Sequence, residues 1–271
     1  MIILRQAAMP ETTQAFDLSD RGLLLADGVF DTSLVSKSGV FLRDAHLNRL
    51  MRDAAALDIN CDRRALEELV DEIIDGVTAG VLRLTVTRGP GGRGLAAGAA
   101  VAPPTLMARI DRLDVDRQFC PISLGSTEIT RNPDSLTAQH KTLAYTDNIM
   151  AARGAAQAGH DDALMLNTQG RVACAASANV FARFGSRIVT PSTSEGALGG
   201  IMRAWLLDAL PKAGFDTVEG AISVADLATA DQVFITNSLR LISPLFRINE
   251  KHYDTEPLQV IVDRLSVAMA G

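Results

Sequence analysis

A chain of 271 residues, 47% hydrophobic and only 4% aromatic, can bury one large core or two moderate ones. Its net charge of -6 and the absence of any basic run argue against nucleic-acid binding. No apolar run reaches a membrane span, and no basic stretch followed by an apolar one opens the chain. The three cysteines, Cys61, Cys120 and Cys174, are scattered and share no metal spacing with a histidine, so the expectation is a soluble, cytoplasmic protein without a metal.

Residues 30–41 alternate loosely around a Ser-Lys-Ser-Gly turn at 36–39, which predicts a hairpin. Asp44 is placed as the cap of a helix running to about Leu57, with Leu47, Leu50, Met51, Ala54 and Leu57 at helical spacing. A second amphipathic helix covers 64–77, strands cover 81–87 and 105–110, and 89–98 is a glycine-rich loop. Residues 111–118 are charged and aperiodic. The division is therefore an N-terminal α+β domain over 1–112, a linker at 113–118 and a C-terminal domain over 119–271.

The second half opens with a strand near 121–124 and a helix over 143–158, with Lys141 at its mouth. Short strands follow at 163–166, 171–173, 180–184 and 187–189. Helices are expected at 200–213, at 224–230 behind Ser223, and at 256–270, with strands at 232–236 and 241–248. Strands and helices mix in both halves, so the expected class is α+β with two domains.

Four motifs bear on chemistry. Gly89-Pro90-Gly91-Gly92-Arg93-Gly94 matches a dinucleotide pattern, but prolines rather than a helix follow it. Arg88 and Arg93 on this loop offer planar donor forks suited to a carboxylate, or are solvated charges. Gly199-Gly200-Ile201-Met202-Arg203 opens a helix whose free N–H groups suit a phosphate, or is an ordinary turn. Thr236-Asn237-Ser238, just past an apolar strand, suits a phosphate or a tight turn. Arg49 lies between Leu47 and Leu50 on a core-facing helix, where it needs an acid or a cofactor phosphate as partner.

The ordered set of these stretches resembles the fold-type IV pyridoxal-phosphate (PLP) enzymes. These include branched-chain and D-amino-acid aminotransferases and 4-amino-4-deoxychorismate lyases. The matching stretches are 20–32, 46–50, 83–88, 140–152, 162–181, 199–203 and 236–244, in the family's order. The resemblance implies two α+β domains with the cofactor between them, and a homodimer whose partner closes each site. It makes Lys141 the Schiff-base lysine. It assigns the cofactor phosphate to Arg49, Gly200, the N–H groups of Ile201 and Met202, and the Asn237-Ser238 turn. Tyr145 flanks the ring, and Asn179 supports the pocket. Phe30, Arg88 and Arg93 are assigned to a small substrate bearing amino and carboxylate groups. A Schiff-base lysine lowered in pKa by burial can attack and then move a proton, with PLP as electron sink.

The chain departs from the family at two places. The family's Gly-x-Val-x-Glu pattern reads Gly170-Arg171-Val172-Ala173-Cys174, so a thiol stands where a carboxylate would hold the ring nitrogen protonated. A small buried filler is the alternative reading of Cys174. Leu34 stands where the aminotransferases carry an arginine, and Thr32 resembles the threonine of the lyase branch, or is a strand residue bonding its own backbone. The leading expectation is an aminodeoxychorismate lyase that releases pyruvate and 4-aminobenzoate, with Lys141 and Thr32 catalytic. The alternatives are an aminotransferase for branched-chain or D-amino acids, and a PLP-binding protein that lost turnover through Cys174.

Overall fold

The computed structural model describes residues 2–5, 16–96, 103–255 and 262–263. The chain divides into two compact units, Met1–Leu113 with His140–Ala144, and Asp114–Gln139 with Tyr145–Gly271. Both are α+β.

The first unit contains β1 (Ile2–Arg5), α1 (Arg21–Leu25), β2 (Gly28–Ser36), β3 (Gly39–Val40), α2 (Arg43–Ala56), α3 (Arg63–Ile74), β4 (Ala79–Thr87) and β5 (Thr105–Asp111). Among the described residues its sheet runs β1-β5-β4-β2-β3, with β1 parallel to β5 and the other pairs antiparallel. The hairpin β2–β3 forms where the sequence places it. Leu47, Leu50 and Ala54 of α2 and Leu66, Leu69, Val70 and Ile73 of α3 recur every three to four residues. They pack on Val29, Val35, Leu82, Leu84 and Val86. Because strand side chains alternate, Phe30, Thr32 and Leu34 of β2 occupy the sheet face opposite that helix-covered core.

Two helix starts in this unit differ from expectation. The α2 helix is entered through Leu42 in the left-handed region (φ 52°), and Asp44 sits inside the first turn. There its charge complements the helix dipole rather than capping it. The α3 helix starts one residue early because Asp62 accepts the Arg64 N–H at 2.9 Å.

The second unit holds β6 (Ile122–Ser126), α4 (Leu136–Gln139), α5 (Thr146–Gln157), β7 (Asp162–Leu166), β8 (Val172–Ala175), β9 (Asn179–Phe184) and β10 (Arg187–Thr190). It continues with α6 (Ile201–Lys212), β11 (Asp216–Glu219), α7 (Val224–Thr229), β12 (Gln232–Asn237), β13 (Leu241–Ile248) and β14 (Lys251–His252). Among the described residues one mixed sheet runs β11-β10-β9-β12-β13-β6-β7-β8, with β14 on β13. Phe181 and Phe234 face each other across β9 and β12 and stack at 5.0 Å. Ser223 caps α7 as expected, in a capping box with Asp226.

The helix expected from residue 143 begins only at Thr146. The peptide groups before it are committed elsewhere: Lys141 C=O accepts the Phe30 N–H at 3.0 Å and Leu143 N–H donates to Gly28 O at 2.9 Å. A segment bonded to a strand cannot also enter a helical ladder. Lys141 therefore lies in an extended stretch along β2, not at a helix mouth. The closing helix expected over 256–270 lies outside the described residues, apart from Val262 and Asp263, which are helical. Among the described residues no helix is long and apolar enough to cross a membrane.

Candidate active site

The half-buried Lys141 is held by its backbone. The two bonds already named pair Thr142 with Val29 in antiparallel fashion. The third anchor is Asp53 of α2, only 1% exposed, which accepts the Lys141 N–H at 3.0 Å and His140 Nδ1–H at 2.9 Å. Lys141 Nζ lies 4.4 Å from the centre of the Phe30 ring, and the Arg83 guanidinium covers the same ring at 3.8 Å. A cation over an aromatic face is attracted by the ring's negative charge density. Phe30, Thr32, Arg83 and Lys141 thus share one region of the first unit. Asp53 escaped the sequence reading. Its signal was a carboxylate three residues after Leu50, at a core-facing position of α2, where an unpartnered charge would be costly.

Arg49 finds the acid that its position requires. Asp31 of β2, 2% exposed, accepts Arg49 Nε–H at 2.8 Å, a second Arg49 N–H at 3.0 Å, His46 Nδ1–H at 2.6 Å and the Thr32 N–H at 2.7 Å. Burial pushes the Asp31 carboxyl up, but the Arg49 guanidinium and His46 outweigh it and hold the pKa at about 2. The carboxylate stays charged and fixes the guanidinium plane in a two-bond fork.

The two loop arginines have separate fates. Arg88 donates to Asp27 from Nε at 2.7 Å and from Nη2 at 3.1 Å, and also to the carbonyls of Leu57 and Asp58. Its fork is engaged within the unit. Arg93 is exposed.

In the second unit, the helix start, Asn179 and the Asn237-Ser238 turn converge. Asn179 opens β9 directly across from Thr236 on β12, which leads into Asn237 and the half-buried Ser238. Asn237 Nδ2–H donates to Ser177 O at 3.2 Å, and its Oδ1 accepts the Leu239 and Arg240 N–H groups at 3.0 and 2.8 Å, closing a tight turn. Asn179 Nδ2–H donates to Leu198 O at 2.8 Å. Gly200 precedes α6 without any side-chain cap. The first-turn amides of α6, those of Ile201 and Met202 included, have no partner within the helix. A Cβ on Gly200 would stand 2.0 Å from Asn179 Oδ1, so a larger residue fits only if that side chain moves. Gly200→Ala should therefore expel the Asn179 side chain and cost about 1–3 kcal/mol. Urea unfolding checks this, and an unchanged midpoint would contradict the packing. Tyr145 stands at the entry to α5 and is half-buried, with no side-chain cap bond.

Cys174 lies on β8 opposite Met165, packed among Ala151, Ala155, Ala163, Ala173 and Ala176. Burial, aided by Asp162 and opposed by Arg131, raises its thiol pKa to about 11. It is neutral at physiological pH and cannot act as a carboxylate.

Each unit carries part of what a phosphate-bearing aldehyde needs: the first a lysine fixed through its backbone and a buried arginine oriented by an acid, the second a helix start with no side-chain cap. Among the described residues no group of three His, Cys, Asp or Glu could hold a metal.

Comparison with known proteins gives the same direction. The chain is 27% identical to an aminodeoxychorismate lyase of Bacillus subtilis over 94% of this chain and 89% of that protein. It is also 27% identical to a D-alanine aminotransferase of Bacillus licheniformis over 92% and 88%. The structure of the 4-amino-4-deoxychorismate lyase from Pseudomonas aeruginosa superposes with a TM-score of 0.85 at 29% identity, covering 94% of this chain and 95% of that one. The family described as Amino-transferase class IV matches residues 28–248, most of the chain, and the protein belongs to this family of PLP-using enzymes.

Proposed function

We propose that this enzyme binds PLP on Lys141 and acts as a lyase on 4-amino-4-deoxychorismate, releasing pyruvate and 4-aminobenzoate. The observation that carries this choice within the family is the neutral, buried Cys174 thiol. Without a carboxylate at this position, the electron sink that PLP supplies is weaker. Elimination toward an aromatic product tolerates that loss better than amino-group transfer does. Leu34, 3% exposed, stands where the aminotransferase pattern has an arginine, which supports the same reading.

Each residue then has a task. Arg49, held by Asp31, and the amides of Ile201 and Met202 bind the phosphate together with Asn237 and Ser238. Gly200 keeps the anion's approach open, and Asn179 holds the strand that leads to it. Tyr145 flanks the ring. The Lys141 amine takes the proton from the substrate α-carbon and returns one to the departing fragment, and the Thr32 hydroxyl assists that transfer. Phe30 lines the substrate side. With Arg88 engaged by Asp27, the substrate carboxylate falls to Arg93. The exposed leucines Leu18, Leu23, Leu24 and Leu25 support assembly as a homodimer, which equilibrium sedimentation tests.

Pyruvate release from 4-amino-4-deoxychorismate, with no keto acid added, is the decisive assay. Strict dependence on a keto acid would favour the aminotransferase reading, which the D-alanine aminotransferase similarity keeps in view. Cys174→Glu tests adaptation of the thiol: pyruvate release should fall about tenfold. A rise would mean that the natural chain binds the cofactor but has lost turnover.

A further inference from the structure

The glycine-rich loop after β4 has few side chains with which to order itself. Gly89, Gly91, Gly92 and Gly94 surround Arg93, and glycine loses the most conformational freedom on ordering. Its order comes from α1. The Arg21 N–H donates to Gly89 O at 3.0 Å, the Gly91 N–H donates to Ser19 O at 3.4 Å, and Asp20 bridges Pro90. The Arg21 side chain, 6% exposed, does the rest. Its Nε–H donates to Asp27 Oδ2 at 3.0 Å, Nη1–H to Gly94 O at 2.9 Å and Gly92 O at 3.4 Å, and Nη2–H to Leu95 O at 3.0 Å. The carbonyls on both sides of Arg93 are thus tied to one guanidinium. A Cβ on Gly91 would stand 2.6 Å from Arg21 Cδ, so the loop lies flat on the arginine stem.

We propose that Arg21 is a positioning residue for substrate recognition: its guanidinium clamps residues 91–95 and so fixes where Arg93 is presented to the substrate carboxylate. The proposal rests on the carboxylate role given to Arg93 above. Only a planar, multi-donor head serves three carbonyls and a carboxylate at once, and a lysine ammonium is a single point. Asp27 links the clamp to the body of the unit, because the same carboxylate also holds Arg88. The substrate therefore meets an arginine whose backbone is already ordered, and binding does not bear the cost of ordering four glycines.

The test compares R21A, R21K and G91A with the parent chain by timed trypsin digestion, with mass spectrometry following cleavage after Arg93, and by steady-state kinetics. G91A pushes on the arginine stem without removing the charge, and it stands in should R21A fold poorly. The expected result is faster cleavage after Arg93 in all three, with KM raised about tenfold and kcat nearly unchanged. R21K should not restore the parent values. Unchanged cleavage in R21K and G91A would overturn the clamp, and faster cleavage with unchanged KM would overturn its role in recognition. Failure of the parent chain to take a pyridoxyl label at Lys141 would instead sink the proposed function, and the digestion would still report on the clamp.

Discussion

Lys141→Ala is expected to abolish pyruvate release, by roughly four orders of magnitude, while leaving the fold in place. The lysine is the only group assigned both to carry the cofactor and to move the proton, so its loss removes two functions at once. The anchors of its segment are backbone bonds to Phe30 and Asp53, and any residue at 141 can make them. Thermal unfolding should therefore move little while turnover collapses. Activity within tenfold of the parent would contradict the assignment.

Asp31→Ala should be the most destabilising single change in the first unit. It strips a buried arginine and a buried histidine of their shared acid, and breaking such a pair costs about 3–5 kcal/mol. Urea unfolding measures it, and a loss below about 1 kcal/mol would contradict the geometry. The same residue sets an acid limit. Its folded pKa of about 2 lies below the ordinary carboxylate value of about 4, so its contribution is fully present above that value and is lost as pH falls toward 2. A shift of that size corresponds to about 2 kcal/mol. The parent chain should lose that much more stability across this window than Asp31→Asn, which has no carboxylate to titrate there. Parallel pH profiles for the two would contradict the assignment.

Much of the fold is legible because the relevant signals are local. Helices α2 and α3 follow from apolar spacing, β13 from an apolar run with a turn before it, and α7 from Ser223. The misreading at 143–158 has a plain cause. The stretch from Leu143 has helical composition, but two hydrogen bonds from residues 141 and 143 to β2, a hundred residues earlier in the chain, hold its start extended. The strand β11 escaped because Asp216-Thr217-Val218-Glu219 is polar and short, and it forms only beside β10. The acids behind the candidate site were equally hidden. Asp31 and Asp53 are small carboxylates whose importance lies in what they face across space. Arg21 showed no sign in the sequence that its fork would close over a loop seventy residues away. Cys174 is the opposite case: a single departure from a family pattern, visible at once, whose burial gives it physical weight.

The most direct measurement is borohydride reduction of the purified protein after incubation with PLP, followed by peptide mapping. A visible-edge absorbance band before reduction, and one pyridoxyl label on the peptide that carries Lys141, is the expected result. No label, or a label on another lysine, would contradict the catalytic assignment and leave the class IV fold without its chemistry in this chain.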